Sequence, residues 1–300
     1  MEGKKGKEGR REGREGRVGM MLIRSTSNPH IKYIRELCEK RKARKVYREF
    51  FVEGVQAISE AYRHGWNVKR LIYCPEMMHS NWAQKTLAES DPDTHLQVTM
   101  HLLGKLSDRS DPELMAIVSQ AEDDLARIPI REDLLVIVVE RPQNPGNLGT
   151  LIRSADAMGA HGVLVMEPAV DVYDPKTVRA TMGSVFALPV LRIEAYSLLH
   201  DWIGQVRIAL ESRKPARVKI VATHPHASTP IDQHDFTSPT ILIIGNEQSG
   251  ISERFETMCD ALVSIPMSGS ADSLNSAVSA SIVLYEVNRQ RLARQTGCLR

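Results

Sequence analysis

Leu134-Leu-Val-Ile-Val-Val-Glu140, running straight into Arg141-Pro-Gln-Asn-Pro-Gly-Asn-Leu-Gly-Thr-Leu-Ile-Arg-Ser-Ala155, is the stretch that sets the fold class. An unbroken apolar run without polar alternation describes a strand covered on both faces, as in a parallel sheet under helices. Two prolines and two glycines then force a tight turn. Asn147 is placed to cap a helix over 148–158, and Arg153 falls about two turns along it, able to reach an anion near the sheet edge.

The same alternation continues toward the C-terminus. Strands are expected at 161–166, 218–223, 240–245 and 262–266, and extended chain at 185–193. Helices are expected at 175–182, 198–212, 252–259 and 273–294. Strands alternating with helices give an α/β fold whose mainly parallel sheet carries helices on both faces. Toward the N-terminus the pattern is shorter-ranged: a helix at 28–46, strands at 49–54, 68–74, 97–101 and 115–120, and helices at 55–64 and 81–90. This is a small α/β unit over 21–121, joined to the unit over 134–300 by a charged, proline-containing linker at 122–133. Residues 1–17 contain only Met, Glu, Gly, Lys and Arg; with nothing apolar to bury, 1–20 reads as a disordered basic tail.

Three hundred residues suffice for two modest domains, and 42% hydrophobic with 25% charged residues is ordinary for a globular chain. No apolar run approaches the roughly 18 residues of a membrane span. The basic, glycine-rich start has no apolar core of a secretory signal. Cys38, Cys74, Cys259 and Cys298 are scattered, which argues against a zinc site and a disulfide framework. A cytoplasmic protein without metal is the expectation. The net charge of +2 conceals an asymmetry: residues 1–48 hold 16 Lys/Arg against 6 Glu. The helix over 28–46 combines an apolar stripe (Ile31, Ile34, Leu37) with Lys32, Arg35, Lys40, Arg41, Lys42, Arg44 and Lys45. A basic end on an acidic body fits a polyanion partner, or a solvated charged tail.

Two further segments follow strand ends, where parallel α/β sheets place their sites. Ile243-Ile-Gly-Asn-Glu-Gln-Ser-Gly250 offers Gly245, where a ligand can approach the backbone, and the acid Glu247, either a site residue or a helix-entry charge. Ile265-Pro-Met-Ser-Gly-Ser-Ala-Asp-Ser-Leu-Asn-Ser-Ala-Val-Ser-Ala280 is a polar loop leading into a helix of small residues, which Ser273 or Asn275 could cap. Gly146 and Gly149 lack the spacing of a dinucleotide fingerprint, which disfavours a nucleotide-dependent oxidoreductase.

In series, these three segments resemble the SpoU/TrmH family of RNA ribose 2′-O-methyltransferases of the SPOUT superfamily, over residues 134 to about 290. Residues 178–190 resemble the family's middle stretch. Residues 27–121, marked by Phe51-Val-Glu-Gly54, resemble the ribosomal-protein-like RNA-binding module of many members. The resemblance implies S-adenosylmethionine as donor, RNA as substrate (rRNA ahead of tRNA), a homodimer and a C-terminal trefoil knot. It assigns Arg153, Asn147, Glu247, Ser273 and Asn275 to catalysis, and Thr223, Gly245, Ile265, Met267 and Leu274 to the donor. The chain departs from the family pattern at Asn144, commonly Asp, and at Ala277, in a run more usually Val-Ser-Val-Ala. Because a guanidinium holds its proton tightly, Arg153 is cast as a clamp on phosphate and hydroxyl rather than as the base. The competing reading is an RNA-binding protein that keeps this fold without turnover.

Overall fold

The computed structural model describes residues 22–211 and 217–296; the expected tail over 1–20 lies outside them. Helix α1 (Pro29–Glu39) begins where the Asn28 side chain accepts the His30 N–H, and its stripe of Ile31, Ile34 and Leu37 is buried. The helix expected over 28–46 is broken. Lys40 is extended, and the chain restarts as α2 (Arg41–Tyr47). The break has a tertiary cause: Arg41 and Arg44 reach acceptors more than 120 residues away.

Strand β1 (Glu49–Glu53), helix α3 (Val55–Arg63), strand β2 (Val68–Tyr73), helix α4 (Asn81–Glu89) and strand β3 (His95–Gln97) follow. Helix α5 (Met100–Leu106) and strand β4 (Leu114–Ser119) complete the unit. The sheet order is β1-β4-β2-β3, with β4 antiparallel to both β1 and β2. The strand expected at 97–101 stops at Gln97. Leu102, Leu103 and Leu106 lie at helical spacing, and burying them together on α5 outweighs extending the strand.

The second sheet carries β5 (Leu135–Glu140), β6 (Gly162–Met166), β7 (Val190–Ile193), β8 (Lys219–Thr223), β9 (Thr229–Pro230), β10 (Thr240–Ile244) and β11 (Ala261–Ser264). Its order is β7-β6-β5-β10-β8-β11-β9, and every pairing is parallel. Around it run α6 (Pro145–Ala157), α7 (Pro175–Ala180), α8 (Ser184–Ala187), α9 (Tyr196–Glu211), α10 (Glu253–Met258) and α11 (Ser276–Gln295). As its unbroken apolar character demands, β5 is buried throughout. Leu135, Ile137 and Val139 join one core with α6 and α11. Val136 and Val138 join another with α9 and α10. The extended chain expected at 185–193 is in fact α8 followed by β7. Phe186 on α8 lies 6.0 Å from Phe50 and 5.1 Å from Trp66, ring centre to ring centre, so contacts from the other unit fix this turn.

The two sheets share one continuous core. Phe50, Val52 and Leu71 of the first unit belong to the same cluster as Tyr173, Phe186 and the α6 and α11 residues. Arg44 crosses the junction almost fully buried, bonded to Asp171 (2.6 Å) and Asp174 (3.2 Å). The segment 122–133 is itself packed: Ile128 is buried, and Asp123 pairs with Arg192 at 2.7 Å. Among the described residues no helix is long and apolar enough to cross a membrane.

Candidate active site

The loops leaving β5, β10 and β11 meet at the C-terminal edge of the sheet, brought there by strand order rather than by sequence proximity. After β5, Asn144 caps α6 by accepting the Asn147 N–H at 3.1 Å, with Pro145 as the first helical residue. The cap is therefore Asn144 and not Asn147. An Asn side-chain oxygen is among the favoured acceptors at a helix N-terminus. Asn147, relieved of capping, donates Nδ2 to Glu247 Oε1 at 3.0 Å. Gly149 serves packing: a Cβ there would lie 2.5 Å from Ala180 Cβ, so only glycine lets α6 and α7 meet.

After β10 the chain turns back on itself. Asn246 and Gly250 exchange backbone hydrogen bonds of 2.9 and 3.0 Å. A Cβ on Gly245 would lie 2.4 Å from the carbonyl carbon of Gly250. The close approach foreseen at Gly245 is thus made by the chain's own loop, which that glycine also joins to a cavity wall. Asn246, unassigned from sequence, is the clamp. Its Oδ1 accepts from the N–H groups of Gln248 and Ser249, and its Nδ2 donates to the Arg141 carbonyl at 2.7 Å.

The third segment supplies Asn275 and Ser276. Asn275 caps α11 through Oδ1 and donates Nδ2 to Asn147 Oδ1 at 3.0 Å. Ser276, also unassigned from sequence, donates to Glu247 Oε1 at 2.9 Å. One polar net therefore ties together residues far apart in the chain, Asn275–Asn147–Glu247–Ser276. Glu247 is more than a helix-entry charge. Burial pushes its carboxyl up, but hydrogen bonds from Asn147, its own backbone, Ser276 and the Gln143 backbone outweigh this and hold it below the usual range.

Beside the net lies a cavity of about 370 Å³. Thr223, Gly245, Ile265, Met267, Ser273 and Leu274, all singled out from sequence, line it together with Glu247 and Ser276. Its volume and mixed walls suit a nucleoside-sized ligand: apolar side chains for a base, strand-end backbone groups for its edges, and carboxylates near a cationic centre. Arg153 is not in that wall. It sits exposed on α6 and makes no hydrogen bond or ion pair with any described residue. Its helix neighbour Thr150 borders a shallow depression formed with Ala277, Val278, Ser281, Ile282 and Tyr285 of α11.

The model of the SpoU rRNA Methylase family matches residues 134–285, the span that contains all three loops. The chain belongs to that family. An MRM3-like substrate binding domain matches residues 28–116 of this SpoU protein. It is 44% identical to a 23S rRNA (uridine(2479)-2'-O)-methyltransferase of Streptomyces viridochromogenes, over 83% of this chain and 85% of that one. The crystal structure of the SpoU methyltransferase AviRb from the same organism, in complex with the cofactor AdoMet, superposes with a TM-score of 0.81 at 42% identity. That match covers 89% of this chain and 100% of the other. An AdoMet-bound rRNA methyltransferase from Sinorhizobium meliloti gives 0.76 at 34% identity, covering 90% and 97% of the two chains.

Proposed function

We propose that this SpoU protein transfers a methyl group from S-adenosylmethionine to a ribose 2′-hydroxyl of rRNA. The observation that carries this reading is the Asn275–Asn147–Glu247–Ser276 net beside a cavity walled by strand-end loops. The names of its relatives support both the donor and the RNA class. When bound, S-adenosylmethionine supplies a methyl on a cationic sulfonium, which departs as a neutral thioether. Thr223, Gly245, Ile265, Met267 and Leu274 hold the donor, largely through backbone groups and apolar contact. The hydroxyl must be aligned with that methyl and must lose its proton. Arg153, without a protein partner among the described residues, is free to clamp the hydroxyl and a neighbouring phosphate. Glu247, Ser273 and Asn275, with Asn147, keep the loops in register around the ribose.

Four finer features belong to the same proposal. Residues 21–121 act as the RNA-binding unit, 122–133 as a packed connection, and 134–300 as the methyltransferase unit. The chain's end is threaded into a trefoil knot; the out-of-order neighbours β10, β8 and β11, and loops closing on one cavity from both sides, support this. Two copies associate through α6 and α11, where Val278 and Tyr285 are 46% and 60% exposed. That contact would bring Arg153 to a shared site. The protein works in the cytoplasm.

The test is to incubate purified protein, methyl-labelled donor and rRNA, then map 2′-O-methyl positions. A single labelled ribose is expected. Donor and RNA binding without any transfer would establish the non-catalytic alternative instead.

A further inference from the structure

Arg141 combines three features that none of the roles above uses. First, its backbone is left-handed, at φ 47°, a region that favours glycine and penalises a branched or long L side chain. Asn246 holds it there by donating to its carbonyl at 2.7 Å. Second, its guanidinium is poorly occupied. Only Nη2 finds partners, Glu140 Oε1 at 3.3 Å and Ser249 Oγ at 3.5 Å, both long for a charged donor. Nε is buried with no partner among the described residues. Third, the residue stands between the strand end of β5 and the 246–250 loop. It thus opens the stretch that goes on to Asn147 and Arg153.

An arginine in this backbone region carries strain that a glycine would not. Pairing with the buried Glu140 accounts for Nη2, but it gives no physical reason for an unbonded Nη1. Ligand binding does, because a half-exposed guanidinium with Nη1 unbonded presents an open fork to a phosphate. A nucleotide methylated on its 2′-hydroxyl carries a phosphate on each side of that ribose. Arg153 on α6 can hold one of them, which leaves the other without a cation.

We propose that Arg141 binds the second phosphate flanking the target ribose, so that the two arginines of the 141–155 stretch grip the RNA backbone on either side of the reacting sugar. Arg141 need not leave Glu140 to do this, because Nη2 stays against the buried carboxylate while Nη1 takes the phosphate. The inference rests on the proposed rRNA methyl transfer, but its consequences for binding and stability can be read without turnover.

The decisive variant is Arg141→Gly, with Arg141→Asn as a second residue that accepts a left-handed backbone. Full-length wild type and both variants would be compared in RNA binding across a salt series, in thermal unfolding, in donor calorimetry and in methyl-transfer kinetics. The expected result is a salt slope shallower by about one, as when one phosphate fewer is neutralised. KM for rRNA should rise on the order of tenfold with donor affinity unchanged, while melting temperature falls because the buried Glu140 loses its cation. An unaltered salt slope and KM would overturn the proposal, since Arg141 would then be only a structural tie for Glu140 and the 246–250 loop. Weakened donor binding with an unaltered salt slope would also overturn it, in favour of a role at the donor. Should wild type bind rRNA but methylate nothing, the functional reading fails while the salt slopes still decide for or against Arg141.

Discussion

The junction at α2 and the rim at α6 each present an arginine, and the fold treats the two in opposite ways. Arg44 on α2 is buried, bonded to two aspartates and to the carbonyls of Leu37 and Cys38. Arg153 on α6 is exposed and bonded to nothing among the described residues. In the sequence both are cations on predicted helices, with no local cue to separate them. Burial makes the difference. A buried guanidinium must have its donors satisfied by the protein, so Arg44 is already occupied; an exposed, unpartnered one keeps its fork for a ligand. The same division runs through the basic end. Arg41 pairs with Glu167, Lys45 with Glu194 and Arg48 with Glu122, all at or near the junction. Lys32 and Arg35 on α1, by contrast, have no side-chain partner among the described residues and face outward or partly so.

Breaking the comparison at its buried member should have the largest effect. Arg44→Ala strands Asp171 in the interior and should cost about 3–5 kcal/mol of stability. Chemical denaturation would read this loss, while methyl transfer per folded molecule stays near wild type. A variant that unfolds normally would mean that water or rearrangement replaces the pair. Next comes the exposed member. Arg153→Ala should lower methyl transfer on the order of 10²–10³-fold, the scale of removing one transition-state donor. Its melting temperature should not move, and Arg153→Lys should rescue little because the planar fork is gone. Single-turnover assays beside thermal melts decide this; wild-type turnover in folded Arg153→Ala removes the residue from the site.

Two smaller tests sharpen the contrast. Replacing Lys32 and Arg35 by Ala should weaken rRNA binding and flatten its salt dependence by about 0.7–0.9 for each phosphate no longer neutralised. Replacing Arg41 and Lys45 should leave that slope alone, because their charges are met within the protein. Equal slopes for the two pairs would abolish the distinction. Cutting away residues 1–48 would not isolate this effect, since it also removes the buried Ile31, Ile34, Leu37 and Arg44. The smallest effect is expected at Glu247. Its carboxyl is held below the usual range, so its ionised form stabilises the fold above the unfolded-state value, and that contribution is lost as pH falls through the folded-state value. Wild type should therefore exceed Glu247→Gln slightly in melting temperature at neutral pH, and the gap should close on acidification. Solvent exposure keeps it small. A gap that widens in acid would show that the carboxylate is not favoured here.

Much of this was legible from sequence because it follows from local rules. The apolar run at 134–140 made β5 a two-sided strand, and Ile31, Ile34 and Leu37 marked the inner face of α1. The family resemblance carried by the three loop segments identified residues that surround one cavity. Ser276 escaped although it stands next to Asn275, because no local rule distinguishes a donor to Glu247 from an ordinary helix-start serine. What escaped was decided at long range. Lys40 breaks the first helix because α2 must meet acceptors more than 120 residues onward, and α8 forms where Phe186 packs beside Phe50 and Trp66. Asn144 and Asn147 are chemically identical and three residues apart. Only the presence of Glu247 and Asn275 across the sheet edge makes one a cap and the other a link in the net. Sequence by itself determined the elements, their periodicity and the residue types at the site, since these depend on neighbours a few positions away. Tertiary structure alone decided which charges are satisfied and which remain free, because a side chain's partner is fixed by strand order and packing rather than by its place in the chain.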